Sequence, residues 1–147
     1  MNDDNILAGF ERYFNGGNKA CVNCNTPVET VNKIWKLSNT IILRLLKDEN
    51  IKNVPVDFPV DSLDTRPFLH KDSPDISDGT IYSLYAIVVH LGPTYRTGHF
   101  VSKVKNLKSD IWYIFDDKNV HQISVEDVKS TSGYIMFYER KVKGKKK

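Results

Sequence analysis

Residues 82–91, Tyr-Ser-Leu-Tyr-Ala-Ile-Val-Val-His-Leu, carry apolar side chains at both alternating positions. A strand with one wet face alternates apolar and polar residues, whereas a strand apolar at both parities has to be covered on both sides. The run therefore predicts a central strand, and a central strand needs partners. Four β-rich segments follow it, at 100–105, 111–115, 120–124 and 133–139, with residues 125–129 as a helical turn between the last two. Segments 31–37, 40–46 and 51–58 also read as strands, separated by Asn39 and by Lys47-Asp-Glu-Asn50. Pro55 and Pro59 make the last of these an edge or irregular strand. Residues 61–80 are rich in Asp, Ser and Pro and read as a long irregular connection, tucked down by its apolar cluster around Phe68. At the start, Ile6, Leu7, Phe10, Tyr13 and Phe14 fall at helical spacing, with Asp3 and Asp4 as caps and Gly16-Gly17 as the stop. The class is α+β: a mainly antiparallel sheet with a short N-terminal helix and no internal repeat.

At 147 residues the chain is long enough to bury about two-thirds of its unfolded surface, as one domain over residues 1–140. The formal charge of +3 misleads as a guide to partners. Residues 139–147 hold six Lys or Arg and one Glu, which leaves the remainder slightly acidic. A basic tail at 141–147 on an acidic body reads as a disordered, solvated extension and argues against a nucleic-acid face. The acidic start, Met1-Asn-Asp-Asp-Asn5, lacks the charged and apolar regions of a secretory leader, and no apolar run reaches the roughly 20 residues that span a bilayer. Both cysteines lie in one Cys-x-x-Cys, unlike a disulfide-stapled secreted domain. The expectation is a reducing intracellular compartment, cytoplasmic or nuclear, with no membrane partner.

Segments 100–105 and 111–115 are joined by the polar turn Asn106-Leu-Lys-Ser-Asp110, so they pair antiparallel. The start of the first strand then lies beside the end of the second, and His99 meets the pair Asp116-Asp117. Opposed Cβ atoms in such a ladder are about 4.5–5.5 Å apart, within reach of an imidazole–carboxylate hydrogen bond. A carboxylate so placed fixes the tautomer of a histidine base and stabilises its imidazolium. A shift of one residue exchanges Asp116 for Asp117, and the spacing leaves both open.

These residues sit in Tyr82-Ser-Leu-Tyr-Ala-Ile-Val-Val-His-Leu-Gly92, Gly98-His-Phe-Val-Ser-Lys-Val-Lys105, Trp112-Tyr-Ile-Phe-Asp-Asp117 and Gly133-Tyr-Ile-Met-Phe-Tyr-Glu-Arg140. Their order and spacing resemble the ubiquitin-specific proteases, whose pattern is Tyr-x-Leu-x-Ala, a His-x-Gly loop, Gly-His-Tyr, Trp-x-x-Phe-Asp-Asp and a closing Phe-Tyr. Upstream, Cys21-Val-Asn-Cys24 is similar to the family's second zinc knuckle, Ile34-Trp-Lys-Leu-Ser-Asn-Thr-Ile-Ile-Leu43 to its Leu-Pro-x-x-Leu strand entry, and residues 54–63 to its Val-x-Phe-Pro-x-x-Leu stretch. The resemblance runs from Ile6 to Arg140 and covers about the C-terminal half of a family catalytic domain, so it implies a fold like the palm and fingers half. It also implies His99 as general base, Asp116 as its orienting carboxylate, and Gly98 and Phe100 as substrate contacts for a ubiquitin tail. Phe100 replaces the family's usual Tyr, and Arg44-Leu-Leu-Lys47 departs from its His-Leu-Lys-Arg-Phe.

A thiol protease needs an activated thiolate. The family's Gly-Asn-Thr-Cys box belongs to the N-terminal half, and Gly17-Asn-Lys-Ala-Cys21 echoes it with one residue too many, in the wrong place along the family order. The chain alone is therefore expected to be inactive, although it resembles a cysteine-type deubiquitinase (ubiquitinyl hydrolase). It reads either as the His/Asp part of such a hydrolase, with the Cys box on another chain, or as a pseudoenzyme that binds ubiquitin or a ubiquitinated protein. A structural component of a larger assembly is the third reading. No cofactor is expected for catalysis. Cys21 and Cys24 offer two of the four ligands of a structural Zn²⁺, and His70, His90 and His121 are conceivable additions.

Overall fold

The computed structural model describes residues 5–45, 56–94 and 97–141. Its first element is helix α1, Ile6–Phe14, capped by Asn5, whose side-chain oxygen accepts from the Ala8 N–H at 2.7 Å. The cap is thus Asn5, and the expected caps Asp3 and Asp4 lie outside the described residues. The helix leaves through Asn15 and then Gly16, whose φ of +64° is left-handed backbone that glycine takes at no steric cost. A backbone bond from Ile6 N to Asp57 O, at 3.0 Å, ties the helix start to the segment that begins at residue 56.

Two short strands, β1 Gly17–Ala20 and β2 Pro27–Thr30, form a separate antiparallel hairpin that the hydrophobic pattern did not reveal. Neither buries a face, so no alternation marks them in the sequence. Conversely, the strand expected at 31–37 is irregular chain with a bend at Trp35 and Lys36, making one bridge, Ile34 with Leu69, and a bond from Leu37 N to the Asp75 carboxylate at 2.7 Å. The strand expected at 40–46 is β3, Thr40–Arg44, and Leu46 lies outside the described residues. Of 51–58, residues 51–55 lie outside them too, and Asp57 makes only an isolated bridge to Asn5. The connection 61–80 contains β4, Leu63–Asp64, and a 3₁₀ turn at Arg66–Phe68. Phe68 does tuck down: its ring lies 5.2 Å from Phe10 and 5.0 Å from Phe14 of α1.

The expected run of strands then follows as β5 Ile81–Thr94, β6 Thr97–Asn106, β7 Ile111–Asp116, β8 Asn119–Ile123 and β9 Gly133–Arg140, with helix α2, Val125–Lys129, before β9. They make a seven-stranded sheet in the order β3-β9-β5-β6-β7-β8, and β4 pairs with the beginning of β5. All its pairings are antiparallel. The long apolar strand is central, between β9 and β6, as its composition requires. One face, with Tyr82, Leu84, Ile87, Met136 and Tyr138 fully buried, packs against Leu63, Val60, Phe58 and Val128. The other face is not covered as both-parity apolarity suggests: Val88 and His90 are half-buried, and Ile42, Phe100, Phe115 and Val120 on that side are exposed.

Among the described residues, no buried side-chain nitrogen or oxygen lacks a hydrogen-bond partner. Tyr82 donates to Ser38 O at 2.5 Å and Tyr138 to Pro59 O at 2.9 Å. The Arg140 side chain, almost fully buried, donates to Gly79 O at 2.6 Å and pairs with Asp75 at 3.2 Å, tying the loop that carries them to the end of β9. The Leu37 N–H and Arg140 together hold the Asp75 carboxyl below the usual carboxylate range.

Candidate functional site

The β6–β7 hairpin positions the two residues that the sequence singles out. Its turn ends on Asp110, at φ +60°, and the ladder runs from Asn106↔Ile111 to Ser102↔Phe115. Continued by two residues, that register sets Asp116 beside Val101 and one pleat away from His99, so His99 and Asp116 are diagonal neighbours on one face. They are not directly opposed, yet diagonal neighbours of this kind remain within reach of long side chains. His99 Nε2 and Asp116 Oδ1 are 2.6 Å apart. The register also decides between the two acids. Asp117 has left the ladder, at φ +50°, and opens the tight turn into β8, in which Asp116 pairs with Asn119.

Both partners are a little under half exposed. The Asp116 hydrogen bond, first, and the negative charges of Asp117 and Asp116 raise the His99 pKa above its ordinary 6.5, against a smaller opposing effect of desolvation. With Nε2 committed to the carboxylate, Nδ1 is the ring nitrogen left to exchange a proton with an outside group.

Gly98 precedes His99 with φ +156°, and a Cβ there would meet His90 Nε2 and Leu91 O at 2.5 Å. The cross-strand backbone presses so closely at this point, opposite Gly92 on β5, that only glycine fits. Leu91 pairs with His99 in the β5–β6 ladder and His90 with Phe100. Phe100 consequently projects from the opposite face to His99, where its ring lies 4.6 Å from His90 and 5.8 Å from Tyr134. The structure thus brings together His99, Asp116 and Gly98, and sets Phe100 on the far side of the same strand. His90 and Tyr134, which the sequence reading did not associate with this region, become part of it by cross-strand pairing alone.

Cys21 and Cys24 sit at the turn of the β1–β2 hairpin, closed by Cys21 N to Thr26 O and Asn25 N to Cys21 O, both at 2.8 Å. Both thiols are free. The Thr26 hydroxyl, 2.9 Å from Cys24 Sγ, holds that thiol below its usual pKa. Among the described residues, no third His, Cys, Asp or Glu joins them in a ligand cluster. His70 instead lies against Trp35 and Asp72, His90 in the aromatic group, and His121 on exposed β8. Two thiols are half a tetrahedral centre, so these residues alone do not make a structural zinc site. Nor does either thiol belong to the sheet that carries His99.

Among the described residues no helix is long and apolar enough to cross a membrane. The family model described as ubiquitin carboxyl-terminal hydrolase matches residues 3–138. Ubiquitin carboxyl-terminal hydrolase 17 of Arabidopsis thaliana is 32% identical over 143 residues, covering 92% of this chain and 18% of that protein. Ubiquitin carboxyl-terminal hydrolase 5 of the same plant is 30% identical over 129 residues, 82% of this chain and 14% of its own length. The chain therefore spans less than a fifth of either relative. The SAGA Ubp8/Sgf11/Sus1/Sgf73 DUB module bound to ubiquitin aldehyde contains a chain that superposes with a TM-score of 0.72 at 24% identity, over 96% of this chain and 34% of that one.

Proposed function

The chain belongs to the ubiquitin carboxyl-terminal hydrolase family, and from that premise we propose that it supplies the base half of a cysteine-type deubiquitinase whose nucleophile comes from a separate polypeptide segment. The 2.6 Å contact between His99 Nε2 and Asp116 carries the reading. In it, Nδ1 of His99 takes the proton of an incoming thiol and Asp116 stabilises the imidazolium that forms. The thiolate attacks the carbonyl at the end of a ubiquitin tail, and His99 returns the proton to the departing lysine amine. Water then releases the acyl group, with His99 again as base. Gly98, which cannot carry a side chain beside His90 and Leu91, leaves the backbone open to an extended tail. Phe100 acts from the opposite face, by packing on His90. The two free thiols fit a reducing intracellular setting, and a zinc ion at Cys21 and Cys24 would need two ligands from outside the chain.

The test is reconstitution. The purified 147-residue chain is expected to leave a ubiquitin C-terminal electrophile unmodified in intact-mass analysis. Mixed with a polypeptide bearing a Gly-Asn-Thr-Cys box from the family's N-terminal half, it is expected to enable adduct formation on that polypeptide, and His99→Ala is expected to abolish this. An adduct on the isolated chain that disappears with Cys21→Ser would overturn the assignment.

A second reading, an inactive ubiquitin-binding or assembly component, is favoured by the placement of both cysteines on a hairpin outside the His99 sheet. It is distinguished by titration with labelled ubiquitin: binding without any reconstituted hydrolysis supports it over the first.

A further inference from the structure

The turn that carries Asp116 into Asp117 places a second carboxylate beside the dyad. One ligand atom from each of His99, Asp116 and Asp117 lies within 4.8 Å of the other two, and this is the only such trio among the described residues. We propose that His99, Asp116 and Asp117 form a binding site for a borderline divalent cation of the Zn²⁺ type.

The donor set is one imidazole nitrogen and two carboxylate oxygens, three ligands that leave a position open to water, as in non-structural zinc sites. Zinc–nitrogen and zinc–oxygen bonds of about 2.0–2.2 Å put neighbouring donors roughly 3–3.5 Å apart. The His99–Asp116 contact, at 2.6 Å, has to widen and Asp117 has to close in. Both adjustments are rotations of side chains that are half-exposed or exposed. The ion would take the place of the proton now shared between Nε2 and Asp116. Imidazole in the set favours Zn²⁺ over Mg²⁺, which prefers oxygen ligands and near-ideal octahedral geometry.

Occupancy does not depend on the deubiquitinase reading and is measurable on the isolated chain. Its consequence does rest on that reading: an ion on Nε2 and Asp116 removes the carboxylate that orients the base. Failed reconstitution would sink the reading and leave the site standing.

The experiment uses the full chain with Cys21→Ser and Cys24→Ser, so that the hairpin thiols do not compete, titrated calorimetrically with Zn²⁺ alone and with Mg²⁺ alone. One equivalent of Zn²⁺ and no saturable Mg²⁺ binding are expected. Asp117→Asn is expected to weaken Zn²⁺ by at least about tenfold, the scale on which a zinc site responds to loss of a supporting group. Because His99→Ala can disturb the hairpin, the imidazole nitrogen resonances provide the second measurement: Zn²⁺ is expected to shift His99 and leave His70, His90 and His121 in place. No binding at millimolar Zn²⁺, binding insensitive to Asp117→Asn, or shifts at another histidine would each overturn the proposal.

Discussion

His99 holds its proton more tightly than a free imidazole because the charged ring is the better partner for Asp116, with Asp117 close by. A raised folded pKa means that the dyad's contribution to stability is fully present below pH 6.5 and fades as pH rises through the folded value. Asp116→Asn keeps the size of the side chain and removes the charge, so it is expected to bring the His99 titration, followed by imidazole NMR, back toward 6.5. An unchanged midpoint in that variant would show that Asp116 does not govern the ring. At the neighbouring position, Gly98→Ala forces a Cβ to 2.5 Å from His90 Nε2 and Leu91 O. It is expected to lower stability by about 1–3 kcal/mol in denaturant unfolding, the usual range when a strained backbone position receives a side chain. The identity of the dyad was legible in the sequence because a hairpin with a short polar turn returns the chain to itself. Which aspartate belongs to it was not legible from the spacing, since the two lie at opposite parities of one strand end and only the register and the left-handed Asp117 decide.

Elements were legible where they bury a face and obscure where they do not. Helix α1 follows its apolar spacing because Ile6, Phe10 and Phe14 line up against Phe68 and the sheet. Gly9 lies in its middle with nothing within 4 Å of an added Cβ, so Gly9→Ala is expected to raise thermal stability by about 0.5–1 kcal/mol through helix propensity alone. Loss of the Asn5 cap in Asn5→Ala is expected to cost about 0.5–2 kcal/mol by the same measurement, and equal stabilities would show that the Ala8 N–H is satisfied otherwise. Strands β1 and β2 escaped because their side chains face solvent and carry no period. The 31–37 segment suggested a strand, but Ile34 bonds to Phe68 O and His70 N, and Leu37 to Asp75, loop partners that lie far along the chain.

For the whole molecule, the central position of β5 follows from its composition, and its inward side chains are part of the main core. Leu84 is fully buried on β5, and Leu84→Ala is expected to cost about 2–5 kcal/mol in chemical denaturation, with a midpoint shift at an unchanged slope. The sequence by itself determined that β5 would be central, that β6 and β7 would form a hairpin, and that His99 would meet an acid at its open end. These follow from local alternation and turn chemistry, which act over a few residues. Only the tertiary structure decided that one face of the sheet is packed while Ile42, Phe100, Phe115 and Val120 stay exposed on the other, because covering a face depends on which distant elements fold back over it. It likewise decided that Arg140 reaches Asp75 and Gly79, and that Cys21 and Cys24 stand on a hairpin outside the His99 sheet. Such pairings join residues far apart along the chain, and their energy resides in long-range contacts that no local periodicity encodes.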